Sequence, residues 1–380
     1  MENKIVRKLQ RIAFENSSVW AVVGFDAVKD TVVRLVRKKN DDRKTRYFHT
    51  IEEFGRYLVS KKNMSCSLEM EMQEEKIGGN MAIFANSLGT LGVQIHCVGS
   101  MGYPQKDPLM EQISENCRIH TVCEMGQCNA IEFHDGKVML SSMDSLKELN
   151  WENLTRRISQ STLREYFQDS RLAAMLNWSE LEGATELFGK VYENCIAGGK
   201  EDREQNWFLM DISDASRKTS EELRRILKLE EQITRYRKTI LSVNENEGRL
   251  IYKALFLKNP VHMEEMAERI GRALKIDYFI LHLCDSSYGY QNGRLEFETG
   301  YYTAVPRIST GGGDNFNGGL CFGLLHGFSL KESLKLGNAV SGYYVRYGKS
   351  PNLSRLAAFL QEEPGRVKEE KVLRTESTGE

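Results

Sequence analysis

The chain has 380 residues, 28% of them charged, with a formal net charge of -1. That length can bury a substantial core as one large domain, and the balanced charge gives no electrostatic case for nucleic-acid binding. No apolar run reaches the roughly 18 residues of a membrane span, and the charged N-terminus lacks a signal-peptide apolar region, which predicts a cytoplasmic protein.

In chain order, apolar β-rich runs at 19–25, 93–99, 172–177, 207–212, 239–243 and 278–283 are expected strands. Amphipathic stretches lie between them. One opens on the capping box Thr219-x-x-Glu222 and carries Leu223, Ile226 and Leu227 on one face; another opens on Ser329-x-x-Glu332. Continuous apolar strands separated by helices predict an α/β fold, with a mostly parallel sheet covered on both faces. Two segments break this rhythm. Residues 31–76 are polar and charged and are expected to insert as a lid, and Asp135-Gly136 between two short β-rich runs signals a hairpin. Residues 1–30 and 77–364 then form the main domain, and the charged 365–380 segment reads as a tail.

The eight cysteines include no CxxC pair, and Cys117, His120, Cys123 and Cys128 match no zinc-knuckle spacing. Reduced, individually packed thiols are expected. The chain has no GxxxxGK[ST], no GxGxxG, no HEXXH and no GxSxG.

The passage Ser309-Thr310-Gly311-Gly312-Gly313-Asp314-Asn315-Phe316 carries the strongest chemical signal. Three consecutive glycines let backbone N–H groups turn toward an anion, and the apolar period that follows sets them at a helix N-terminus, the positive end of its dipole. Donors for a developing negative charge with a carboxylate beside them suit phosphoryl transfer to a hydroxyl. Alone, the same residues also fit a glycine turn whose Asp314 caps the helix.

Four blocks in order resemble the ribokinase-like sugar kinases, the PfkB family, over most of the chain. They are Gly24–Asp30 (GFDAVKD), Lys76–Gly89 (KIGGNMAIFANSLG) with the following Gly99-Ser100-Met101-Gly102, Ser242–Glu247 (SVNENE), and Ser309–Phe316. The resemblance implies a three-layer α/β/α sandwich with a small lid, and a cytoplasmic kinase that moves a nucleotide phosphate to a sugar or sugar-like hydroxyl. It implies Asp314 as catalytic base and the amides of Gly311, Gly312 and Gly313 as an anion hole, worth about 2.7–4 kcal/mol per donor in comparable sites. Asn244 and Glu247 would orient Mg²⁺ against the phosphates, although the same pair can simply cap the helix. Ser309 and Asn338 would join Asn244, Gly311 and Gly313 around the nucleotide, with ATP the default donor and ADP open. Asp30, Asn80, Gly78 and Gly79 would hold the acceptor, with Asp26 competing because the register near Gly24 is uncertain. Glu132 on the hairpin points either into the site or to solvent. A lid of this kind also allows a homodimer.

The chain departs from the family pattern at Ile308, where aspartate is usual, at Pro104, and at His282-Leu283-Cys284, which stands where the nucleotide-contacting Thr-Leu-Gly turn is expected. Asp211 and Asp214 match the family's Asp-x-Asn-x-Arg strand end only loosely. A nucleoside kinase on the same scaffold and a catalytically weak sugar- or nucleotide-binding sensor are the competing readings.

Overall fold

The computed structural model describes residues 2–15, 19–39, 45–199, 203–259, 262–308 and 310–362. Ser309 and the 365–380 tail lie outside the described residues.

The strands are β1 (Trp20–Phe25), β2 (Val28–Lys39), β3 (Thr45–Tyr47), β4 (Glu69–Gly78), β5 (Gln94–Gly99), β6 (Cys117–Thr121), β7 (Gly126–Phe133), β8 (Gly136–Ser142), β9 (Leu172–Met175), β10 (Trp207–Met210), β11 (Lys238–Asn244), β12 (Tyr278–His282), β13 (Ser286–Gln291) and β14 (Arg294–Thr299). The helices are α1 (Glu2–Glu15), α2 (Ile51–Ser60), α3 (Asn80–Thr90), α4 (Trp151–Arg157), α5 (Gln160–Asp169), α6 (Ala184–Val191), α7 (Ser220–Ile233), α8 (Glu245–Phe256), α9 (Met263–Ala273), α10 (Gly312–Leu325), α11 (Leu330–Tyr347) and α12 (Leu353–Glu362).

Nine strands form the main sheet in the order β14-β13-β12-β11-β10-β9-β1-β5-β6. It is parallel from β6 to β12, and β13 and β14 extend it antiparallel. Successive residues of each central strand go to opposite cores. Ala21, Ala174, Leu209, Ile240 and Ile280 pack with Phe84, Leu320 and Leu334 of α3, α10 and α11. Val22, Ala173, Phe208, Leu241 and Phe279 pack with Phe167, Ile226, Ile251 and Ile270 on the other face. The result is the α/β/α sandwich of the sequence reading. The capping boxes at Thr219/Glu222 and Ser329/Glu332 are both closed.

A second sheet of five strands stands beside the first. In it β2 pairs antiparallel with β3 and β4 and parallel with β7, and β7 returns as β8. Phe133 pairs with Gly136, so the two-residue hairpin loop is His134-Asp135 rather than Asp135-Gly136. This sheet has its own small core of Val33, Leu35, Phe48 and Ile131, with Phe54 and Tyr57 of α2 against it. It draws on 28–30 and on the 126–142 hairpin as well as on the polar segment. All eight cysteines are free thiols. Among the described residues no helix is long and apolar enough to cross a membrane.

Candidate active site

The parallel strands end on one edge, where an open α/β sheet presents its loops for binding. Asp26 follows β1, Asp211 follows β10, Asn244 closes β11 and His282 closes β12. Helices α3, α8 and α10 start on this edge. Gly79 and Gly311 precede α3 and α10 with φ of +88° and +86°, a left-handed conformation that a side chain would strain. A Cβ on Gly79 would also lie 2.8 Å from Asp26 Oδ2.

Asp26 is fully buried. Its carboxylate accepts the backbone N–H groups of Asn80 and Met81 at 2.9 and 3.0 Å and the Asn177 amide at 2.8 Å. It caps α3 from another part of the chain. Burial pushes its pKa up while these three donors pull it down. Asp30 stands on β2 opposite Lys76, with its carboxyl over Gly78, where a Cβ would sit 2.6 Å from Oδ2. Burial raises its pKa, against the charges of Lys76 and Lys137.

Asp314 occupies the first turn of α10 and is 8% exposed. Burial holds its carboxyl well above the usual range, reinforced by Asp211, Asp26 and Glu247, while a hydrogen bond from the Asn80 side chain opposes the shift. Asn80 thus links both aspartates, through its backbone to Asp26 and its side chain to Asp314. Asn244 and Glu247 close a reciprocal capping box on α8. Glu247 Oε2 accepts the Asn244 N–H at 2.9 Å, and Asn244 Oδ1 accepts the Glu247 N–H at 3.1 Å. Burial, then Asp211, pushes the Glu247 carboxyl up to about 8.

A cavity of about 1010 Å³ opens beside the glycine loop, lined by Asn244, His282, Cys284, Thr303, Gly312, Gly313 and Asn338, among others. That space accommodates a nucleotide. Asn338 reaches it with its amide nitrogen already given to Ser287 Oγ at 2.9 Å and to the carbonyls of Glu298 and Thr299. Glu132 is exposed and pairs at 3.0 Å with Lys137, the lysine whose charge also acts on Asp30.

Several groups on this edge were given no role by the sequence motifs. Asp211 accepts from Ser213 N and from Asn317 Nδ2 at 2.9 and 3.0 Å, and Ser242 in turn donates to Asn317. Asp211 titrates at about 6, raised mainly by burial and by Asp26. The His282 ring lies over Gly313, where a Cβ would approach its Cε1 to 3.0 Å, and packs tilted against Phe316. Burial alone pulls it down to about 4 and leaves it neutral. A polar residue at the end of an apolar strand was the available signal for Asp211 and for His282. Asn177 had none, since its role depends on adopting a φ of +60° beside β1.

A sequence profile of prokaryotic ketohexokinases matches residues 4–363. The chain belongs to the prokaryotic ketohexokinase family. It is therefore a carbohydrate kinase, a phosphotransferase with a sugar hydroxyl as acceptor. A curated relative, the ketohexokinase of Haloferax volcanii, is 25% identical over 344 residues, spanning 88% of this chain and 89% of that protein. The fold resembles Arabidopsis thaliana ribokinase complexed with ribose and ATP, at 15% identity and a TM-score of 0.63, over 91% of this ketohexokinase-family chain and 99% of that one. It also resembles the nucleoside kinase of Methanocaldococcus jannaschii, at 12% identity and a TM-score of 0.57, over 90% and 98% of the two chains. The ribokinase-like likeness read from the four sequence blocks holds.

Proposed function

We propose that the protein transfers the terminal phosphoryl group of ATP to a hydroxyl of a ketohexose, with Asp314 as the base. The observation that carries this reading is the Asp314 carboxyl, buried at the glycine N-terminus of α10 between the large cavity and the edge where α3 begins. In this scheme Asp314 takes the proton of the acceptor hydroxyl, the freed oxygen bonds the terminal phosphorus, and the bond to the leaving nucleoside diphosphate breaks. A carboxylate made more basic by its surroundings is a better proton acceptor near neutral pH. The amides of Gly311, Gly312 and Gly313 would face the charge that develops on the transferred group.

Asp26 raises the proton affinity of Asp211, Asp211 that of Glu247, and all three that of Asp314. Mutual repulsion of that kind suits a divalent cation. Among the described residues no three His, Cys, Asp or Glu side chains converge on a direct metal site. That favours Mg²⁺ held by the nucleotide phosphates and by waters that Asn244 and Glu247 orient, the usual habit of this ion. When bound, Mg²⁺ would neutralise the phosphate charge.

Asp30 would hydrogen-bond acceptor hydroxyls directly, beside Gly78, Gly79 and the Asn80 side chain. Asp26, with three donors already on its oxygens, would act as a positioning residue for α3. Asn338 would meet the base of the nucleotide through its carbonyl oxygen. The five-stranded sheet that carries Asp30 would cover the acceptor and exclude water.

The test is Asp314→Asn with fructose and ATP. The variant should bind nucleotide normally and lose at least about a hundredfold in kcat; near-normal turnover would remove Asp314 from the role of base. Separate assays with ATP and ADP decide the donor, since turnover with ADP alone would overturn ATP.

A further inference from the structure

Tyr344 sits on α11 with only 9% of its surface exposed. Its hydroxyl lies over the glycine loop, because a methyl on Gly311 would fall 2.9 Å from it and 3.1 Å from Ile83 Cδ1. Ile83 belongs to α3, the helix whose Asn80 is bonded to Asp314. The large cavity uses a different stripe of α11. Ser341 and Val345, one turn apart, line it with Gly312 and Gly313, and Tyr344 does not. The glycine loop therefore has the cavity on one side and the Tyr344 hydroxyl on the other, facing the acceptor groups.

Two carboxylates act on this phenol, Asp314 and Asp30, one from each sheet system. Burial above all, with these two charges, holds the hydroxyl protonated throughout the physiological range, so it is a standing donor. Among the described residues no protein acceptor takes its hydrogen bond. A buried donor that faces the acceptor side, flanked by two carboxylates, matches a polyhydroxylated ligand. Each sugar hydroxyl can accept from the phenol and donate to a carboxylate.

We propose that Tyr344 is a specificity-determining residue of the acceptor site, its hydroxyl donating to a sugar hydroxyl other than the one Asp314 deprotonates. The inference rests on the sugar-kinase reading with Asp314 as base.

The experiment compares wild type and Tyr344→Phe on fructose and on a series of its monodeoxy analogues, with ATP as donor. Phenylalanine keeps the ring and removes only the donor. The KM for fructose should rise about tenfold, the upper end for a lost hydrogen bond between neutral groups, while the KM for ATP stays within twofold. Wild type should also discriminate against one particular deoxy analogue, and the variant should have lost that discrimination, which a purely structural role would leave in place. An unchanged fructose KM together with unchanged deoxy discrimination overturns the inference, as does a rise confined to the KM for ATP. If Tyr344→Phe does not fold, the deoxy series on wild type still decides, because equal turnover of every analogue that keeps the phosphorylated hydroxyl leaves the phenol no hydroxyl to read. Wild type that phosphorylates nucleosides and no sugar sinks the underlying reading instead, a result distinguishable from all of these.

Discussion

Individual side chains on this protein are tuned by where the chain buries them, and the outer edge of the main sheet gives a case free of catalysis. His96 on β5 and His120 on β6 stand with Nδ1 and Nε2 3.0 Å apart, rings stacked, under Tyr166 and beside Trp20. Burial, then the charges of His120 and Arg118, pull His96 from 6.5 to about 4. The folded state therefore keeps His96 neutral where the unfolded chain protonates it. Between about pH 4 and 6.5 the unfolded state binds more protons, so this contribution to stability grows as pH rises and is lost as pH falls. His96→Phe keeps the stack and removes the titration. The thermal midpoint of the variant should fall less steeply than that of wild type from pH 7 to 4.5, measured by calorimetry. Asp211, raised to about 6, acts with the opposite sign in part of the same window but in both proteins, so the difference between them isolates His96. Equal slopes would count against the assignment. At this scale the sequence was legible in residue type and ambiguous in use. The spacing from Gly24 could not choose between Asp26 and Asp30, because the three donors on Asp26 come from Asn80, Met81 and Asn177, far away in the chain.

The decisive elements are the helices that carry the glycine loop. α10 lies so close to α11 that a Cβ on Gly319 would meet the Leu336 carbonyl at 2.6 Å and Val340 Cγ2 at 2.8 Å, and one on Gly337 would meet Phe316 at 2.8 Å. Backbone this near has nowhere to retreat, so added volume must push the helices apart. Gly319→Val should cost roughly 1–3 kcal/mol by overpacking. It should also lower kcat, because the N-terminus of α10 holds Asp314 and the glycine amides. Chemical denaturation paired with turnover checks both, and a variant stable and active as wild type would show that the contact relaxes freely. Helix starts were legible because capping boxes are local: Thr219/Glu222 and Ser329/Glu332 needed only neighbouring residues. The length of β2 was not. Its residues from 31 onward read as a polar insertion, yet Val32, Val33, Leu35 and Val36 are buried, because β4, β7 and α2 supply the partners that make an amphipathic strand worth forming.

Across the whole molecule, six strands of the main sheet, from β5 to β12 in sheet order, were readable from apolar runs that are buried on both faces whatever their order, while β6, β13 and β14 at its edges were not. The second sheet was not, because its parallel pair joins Val28–Val33 of β2 to Gly126–Ile131 of β7 across nearly a hundred residues. Its core is also separate: Phe48, 3% exposed, packs on Phe54 and Tyr57 at 5.5 and 5.1 Å between ring centres. A small core of its own allows this sheet to loosen without unfolding the first. Under the proposed role as a cover for the acceptor, loosening it should let water compete for the phosphoryl group. Phe48→Ala removes a buried ring at a cost of about 3–5 kcal/mol, concentrated in the second sheet. Hydrogen exchange should then show lost protection in β2, β3 and β7 with β9, β10 and β11 unchanged. The KM for the sugar should rise, and ATP hydrolysis relative to sugar phosphorylation should rise with it. Unchanged coupling between hydrolysis and transfer, despite the local loss of protection, would mean that this sheet does not guard the acceptor; protection lost equally in both sheets would mean that the two cores unfold as one.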